Sequence, residues 1–161
     1  MIPLHHLTFA VILMIAVISQ SSAQGLDTPE ETIAKWRAAV AAADVNAAMT
    51  LFAPNASGFA TYSRAPISGT SEIRKLYENV LSRLNVPRGN ETITISKTMV
   101  GESIAIFQIT DFIWETVGGQ KSGTNGRNTV VLAKVGAQWK IVSFHRSLLP
   151  ALSQTAPAAE P

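Results

Sequence analysis

The most informative part of the chain is Gly126-Arg-Asn-Thr-Val-Val-Leu-Ala-Lys-Val-Gly-Ala-Gln-Trp-Lys-Ile-Val-Ser-Phe-His-Arg-Ser147. Two largely apolar runs flank its central Gly136-Ala137, a pattern typical of two β-strands joined by a tight turn. The polar residues Arg127, His145 and Ser147 stand where a purely structural hairpin would not need them. The stretch therefore predicts one wall of a curved sheet that carries candidate site residues.

Two more strands are expected before this hairpin. Thr92–Val100 alternates in character, and Ile104–Val117 is a long, nearly continuous apolar run; Gly-containing turns follow both. With the hairpin strands Gly126–Val135 and Gln138–Leu149, these segments form a meander. Neighbouring strands in a meander pair antiparallel.

Helices are predicted ahead of the strands. Thr28-Pro-Glu-Glu31 has the residues of a capping box with proline at the first helical position, and the helix is expected to run to about Asp44. A short second helix over Ala47–Phe52, a loop and short strand over Asn55–Ser63, and a third helix over Glu72–Leu84 follow. Helices first and strands afterwards predict an α+β domain with helices on one face of an antiparallel sheet.

The first 23 residues contain no Asp, Glu, Lys or Arg, and the apolar run Leu7–Ile18 is followed by Ser21-Ser-Ala23. This layout predicts a cleaved secretory signal peptide over residues 1–23 and an exported protein, periplasmic or secreted. The run is shorter than the roughly 20 residues of a membrane span; an uncleaved anchor is the alternative. A domain over 24–149 and a disordered Ala/Pro-rich tail over 150–161 complete the predicted organisation.

Composition narrows the function classes. The chain has no cysteine, which excludes disulfides and a thiolate nucleophile, and its net charge of +2 is interspersed rather than clustered. Nucleic-acid binding is therefore not expected, nor is a membrane partner after cleavage. His5 and His6 lie in the signal segment, which leaves His145 without clustered carboxylates, so neither a metal site nor a cofactor is predicted.

Three segments together resemble the nuclear transport factor 2-like superfamily, in particular its SnoaL-like and ketosteroid isomerase-like proteins. Ala42–Ala53 is similar to the end of helix one and the short helix two of the isomerases, and Ile67–Tyr77 to the start of their third helix. Trp139–Ser147 resembles the last strand of SnoaL-like proteins and of the association domain of calcium/calmodulin-dependent kinases. The likeness covers nearly all of the predicted domain.

The resemblance implies a cone: a strongly bent antiparallel sheet packed against three N-terminal helices, enclosing an apolar pocket. It does not settle activity, because this fold serves isomerases, dehydratases, epoxide hydrolases, cyclases and plain binding or oligomerisation modules. The acids and the tyrosine of ketosteroid isomerisation are missing from the matching positions. The base falls on Ala60, the tyrosine near Trp36, and the second acid within Asn128–Val131, so that reaction is not expected.

His145 and Asp111 are the candidate catalytic residues. Strand alternation puts His145 on the face of Trp139, and the resemblance places that face inside, where an imidazole could act as general acid or base. Asp111 lies in an apolar strand and could orient His145. The plainer alternatives are a histidine that stacks on an aromatic ring and an Asp111 that pairs across strands with Arg127 or a lysine.

Candidate ligand-binding residues surround this pair. Arg127 could recognise a carboxylate or another anion, or it could be an exposed charge at the end of a strand. Tyr62, Trp36 and Trp114 are predicted to supply aromatic surface at the pocket mouth or in the core.

Two functions follow as hypotheses. The leading one is an exported protein that binds a small apolar organic ligand, with acid–base turnover of the isomerase, dehydratase or hydrolase type open to it. The alternative is a non-catalytic oligomerisation or sensing module, expected to form a homodimer because the free sheet face of a small domain needs cover.

Overall fold

The computed structural model describes residues 27–83, 90–117 and 120–149, with side chains for 27–83, 94–113 and 123–149. The predicted signal segment 1–23 and the tail 150–161 lie outside these residues. Three helices and six strands occur in the described part of the chain, and the helices precede most of the sheet. The α+β prediction is confirmed.

The helices are α1 (Pro29–Ala42), α2 (Val45–Met49) and α3 (Gly69–Arg83). The predicted capping box is present: Thr28 Oγ1 accepts from the Glu31 backbone N–H at 3.2 Å, and Glu31 Oε2 accepts from the Thr28 N–H at 2.8 Å. These bonds satisfy two of the donors that a helix start leaves open. Helix α1 ends at Ala43, which adopts a left-handed conformation with φ of 55°.

The strands are β1 (Phe52–Phe59), β2 (Ile67–Ser68), β3 (Asn90–Val100), β4 (Ile104–Val117), β5 (Gln120–Val135) and β6 (Gln138–Leu148). They form one sheet in the order β2-β1-β6-β5-β4-β3. The sheet is mixed rather than wholly antiparallel, because β1 lies parallel to β6. The short strand predicted within Asn55–Ser63 covers only part of β1. Pro54, Asn55 and Gly58 are poor strand formers, and Pro54–Asn55 lies where the pairing register shifts.

A β-bulge divides β6 into two parts. Leu132 pairs with Ile141, but Val131 pairs with Ser143, so Val142 is the extra residue. Since side chains alternate between faces, one inserted residue reverses the alternation beyond it. The face that carries Trp139 and Ile141 before the bulge is continued by Phe144, Arg146 and Leu148 after it.

We call this helix-covered face the inner face; it carries Phe107, Ile109, Leu132 and Ile141, all at most 4% exposed. The opposite face, carrying Arg127, Thr129, His145 and Ser147, is the outer face. The largest fully buried side chains from the helices, Ile33 and Ile73, pack into the same core as the inner face. Burial of each such side chain contributes about 1.5–3 kcal/mol to folding.

No helix within residues 27–83, 90–117 and 120–149 combines the length and apolar character needed to cross a bilayer.

Candidate functional site

A cavity of about 400 Å³ lies between the helices and the inner face. Helix α1 contributes Trp36 and Val40, and α3 contributes residues from Leu76 to Arg83. The strand side supplies mostly apolar and aromatic wall: Phe52, Ala60, Ile113, Val130, Ile141, Phe144 and Leu148. This volume falls in the range of small-molecule sites, which are concave, mainly apolar and furnished with a few placed polar groups.

A buried polar network supplies those polar groups. The Asp111 carboxylate accepts from Asn128 Nδ2 at 2.8 Å and from Arg146 Nη2 at 3.0 Å, and Arg146 Nη1 donates to Thr61 Oγ1 at 2.8 Å. Asp111 and Asn128 are each 7% exposed. A carboxylate so far from water requires partners of this kind, and a guanidinium with an amide provides them.

Sheet register brings the network together. Asn128 of β5 pairs with Ile109 of β4 on one side and with Arg146 of β6 on the other, so the polar side chains come from three adjacent strands. Gly126 is the residue paired with Asp111, and a Cβ at Gly126 would lie 2.5 Å from both Asp111 Oδ1 and Arg146 Nη2. Glycine is therefore the residue that leaves room for the ion pair.

Arg146 retains one unsatisfied donor. Its Nε is buried and has no hydrogen-bond partner in the described part of the chain. A buried donor left unpaired costs roughly 1–3 kcal/mol.

A second polar contact joins helices α1 and α3 at the cavity. Trp36 Nε1 donates to the Tyr77 hydroxyl at 2.6 Å, and the Tyr77 ring packs edge-on against Phe52 with centroids 5.6 Å apart. Burial raises the pKa of the Tyr77 phenol well above its usual value of 10, and the Trp36 hydrogen bond opposes that rise in part. Tyr77 is consequently a neutral phenol throughout the physiological range.

His145 does not share a face with Trp139, and that expectation is wrong. The bulge at Val142 places His145 on the outer face, opposite Thr129, with its side chain exposed and its ring 6.0 Å from the Phe59 ring. His145 is nevertheless among the residues that line the cavity. The side-chain position agrees with the plainer alternative of a histidine beside an aromatic ring.

The predicted association of Asp111 with His145 is not found. Both residues border the cavity, but they belong to opposite faces of the sheet, and the two Asp111 oxygens accept from Asn128 and Arg146 instead. Asp111 does pair across strands, but with Arg146 of β6 rather than with Arg127 or a lysine.

The predicted ligand-binding residues are dispersed. Arg127 is exposed on the outer face, where its Nε donates to Ser147 Oγ at 3.0 Å. Trp36 lines the cavity, and so does Tyr62, which is 80% exposed at its mouth. The Trp114 side chain lies outside the described residues. Ala60 also lines the cavity, which agrees with its alignment to a family site position.

Sequence reasoning missed Asn128, Arg146 and Tyr77. A signal was available for Asn128, because it precedes Val130 and Leu132 at spacing two and so lies on their buried face. The orientation of Arg146 depends on the bulge, which has no marker in the local sequence. Tyr77 lies within the predicted third helix, and no local pattern indicates that its hydroxyl contacts Trp36 of α1.

Chemically, the cavity can hold an apolar body and fix its polar end. Asp111 is the one carboxylate among the described residues that line it. The described residues contain no group of three or more His, Cys, Asp or Glu side chains placed to bind a metal ion. The side chains that line the cavity can provide hydrogen bonding, charge stabilisation and proton transfer at Asp111.

Known proteins with a similar sequence or structure support the fold described above. Residues 30–151 match the family model described as a SnoaL-like domain. No curated protein matches the sequence.

Solved structures of the same fold include the CaMKII hub of S. rosetta, at 22% identity and a TM-score of 0.65 over 76% of this chain and 98% of that one. A ketosteroid isomerase-like protein from Erwinia carotovora atroseptica has 15% identity and a TM-score of 0.67, over 80% of this chain and 99% of the other. A suggested dehydratase of the NTF2-like family from Streptomyces avermitilis has 16% identity and a TM-score of 0.65, over 74% of this chain and 93% of the other.

Proposed function

Because the chain belongs to the SnoaL-like domain family, we propose that it binds a small, mainly apolar organic molecule in the inner-face cavity. One observation carries the proposal: an apolar cavity of about 400 Å³ contains a preformed polar cluster, Asp111–Asn128–Arg146, on a single wall. An apolar body would fill the space between Phe52, Val130 and the helices. A polar substituent would then face the cluster.

Acid–base turnover of the isomerase, dehydratase or hydrolase type is the catalytic form of this proposal. It requires a titratable side chain that reaches the ligand, and Asp111 meets this condition. Arg146 would hold the carboxylate in place. Asp111 is a better candidate than His145, whose exposed side chain lies on the outer face.

Thermal shift with a panel of apolar carbonyl and hydroxyl compounds tests binding. A compound present at 100 times its dissociation constant should add roughly 2.7 kcal/mol to the free energy of unfolding. Val80→Trp, at the cavity rim on α3, should weaken that binding, whereas the control Lys75→Trp, exposed on the same helix and outside the cavity, should not. Equal responses of the two variants would place any bound compound elsewhere.

Turnover is tested separately, on compounds that bind. Asp111→Asn should abolish conversion while retaining most of the affinity, because the amide keeps the shape of the carboxylate but not its basicity. His145→Ala should leave conversion unchanged. If His145→Ala alone lost conversion, His145 on the outer face would be the catalytic residue.

Self-association is the second candidate function. The outer face exposes apolar side chains, including Phe59 at 40%, Val100 at 51% and Ile104 at 37%. The structural likeness to a kinase hub domain supports pairing of this face with a second copy. Analytical ultracentrifugation should then give a dimer that Thr129→Arg, at the centre of the outer face, dissociates and that Lys75→Arg does not.

Export is proposed on the layout of residues 1–23. Cell fractionation and intact mass would test it. A mature chain beginning at Gln24 outside the cytoplasm is the expected result, and a full-length chain retained in the membrane fraction would indicate the anchor instead.

A further inference from the structure

The Tyr77 hydroxyl has a proton for which the described residues provide no acceptor. An indole N–H can donate but never accept, so the 2.6 Å bond from Trp36 occupies a lone pair of the phenol oxygen and leaves the phenol proton unused. Both side chains line the cavity. The proton can therefore be offered to a molecule inside it.

The phenol is also held in a fixed orientation. Its ring meets the Phe52 ring edge-on at 75°, and its oxygen is bonded to a residue 41 positions away on another helix. Two contacts of different kinds leave the ring little rotational freedom. A donor oriented before binding loses less entropy when it forms a hydrogen bond.

The polar cluster on the strand wall points to the same preference. Asp111, the cavity carboxylate, already accepts from Asn128 and Arg146 through both oxygens. Because the Arg146 guanidinium already neutralises this carboxylate, the cluster attracts a ligand cation less than an unpaired carboxylate would. An acceptor on a ligand would displace nothing at Tyr77.

We propose that Tyr77 is a specificity-determining residue whose hydroxyl donates to an oxygen acceptor of the ligand, so that the cavity selects carbonyl compounds over hydrocarbons of the same shape. This inference rests on the proposed binding function and adds the ligand class to it. Because burial raises the pKa of Tyr77, the phenol donates a hydrogen bond at neutral pH and does not act as a base.

The experiment compares two bicyclic probes of nearly equal shape, 2-decalone and decalin, by competition for a bound fluorescent apolar dye. Wild-type protein should bind 2-decalone about 5- to 10-fold more tightly than decalin, the range of one neutral hydrogen bond. Tyr77→Phe should remove most of that ratio and leave decalin affinity unchanged. Trp36→Phe should reduce it partly, because the phenol then loses its fixed orientation.

A spectroscopic readout separates a hydrogen bond from a change in cavity shape. The carbonyl stretching band of bound 2-decalone should lie at lower frequency in wild-type protein than in Tyr77→Phe. Equal affinity for the two probes, or an unchanged ratio in Tyr77→Phe, would overturn the assignment of Tyr77 but leave the cavity a binding site. Binding of neither probe would overturn the proposed function itself.

Discussion

His145 and Arg146 are adjacent in the chain, yet they belong to opposite faces of the sheet. Arg146 lies on the inner face, bonded to Asp111 and Thr61 at the cavity wall. His145 lies on the outer face, exposed beside Phe59. Strand alternation from Trp139 would assign them the other way round, and the inserted Val142 reverses the assignment. One extra residue in a strand thus decides which side chain can meet a ligand.

The difference between the two faces should have its largest effect on the stability of two arginine variants. Arg146→Met should lower the free energy of unfolding by about 3–5 kcal/mol, because it leaves the buried Asp111 carboxylate without its counter-charge. The matched change Arg127→Met, on the outer face, should stay within about 0.5 kcal/mol. Urea unfolding of both variants measures the comparison, and equal losses would contradict the assignment of faces.

Gly126, on the neighbouring strand, tests the same difference between the inner and outer faces. Gly126→Ala should cost roughly 2 kcal/mol, because its Cβ would lie 2.5 Å from Asp111 Oδ1 and Arg146 Nη2 and force the pair apart. The cost should shrink in an Asp111→Ala background, where one of the two crowded atoms is gone. Full additivity of the two substitutions in urea unfolding would show that the glycine serves another purpose.

These two effects mark where prediction from the sequence succeeds and where it stops. The capping box at Thr28, the hairpin turn at Gly136 and the order of helices and strands rest on local chemistry, and the sequence displays that chemistry directly. Strand β1 was missed in part because Pro54 and Gly58 disfavour strands, and its parallel pairing with β6 is a long-range choice. The orientation of Arg146 depends on a bulge set by register across the sheet.

Tyr77 provides a prediction in alkaline solution. Its folded-state pKa is raised, so above pH 10 the unfolded chain releases a proton that the folded chain keeps, and stability must fall as pH rises. Because of this one group, the free energy of unfolding should fall by up to about 1.4 kcal/mol per pH unit. Tyr77→Phe should remove that part of the slope, measured by urea unfolding between pH 9 and 11 (a window set by the ordinary phenol pKa of about 10).

The control for this experiment is Tyr62→Phe, which changes a side chain that is 80% exposed at the cavity mouth. It should retain the alkaline slope of the wild type. A slope that persists in Tyr77→Phe would mean that a different group titrates on unfolding.

The smallest expected effect is at His145. His145→Ala should change the free energy of unfolding by less than about 0.5 kcal/mol, since the ring is exposed and contacts mainly Phe59. It should also leave ligand affinity unchanged. A marked loss of affinity, measured by thermal shift with any compound that binds the wild type, would show that the imidazole reaches the cavity.

The most direct test of the account is a pair of double-mutant cycles that share Asp111. The coupling energy between Asp111→Asn and Arg146→Gln in urea unfolding should be at least about 1.5 kcal/mol, as for charged groups in direct contact within one network. The coupling energy between Asp111→Asn and His145→Gln should lie within about 0.5 kcal/mol of zero. Strong coupling to His145 with none to Arg146 would contradict the reversal at Val142 and the site built upon it.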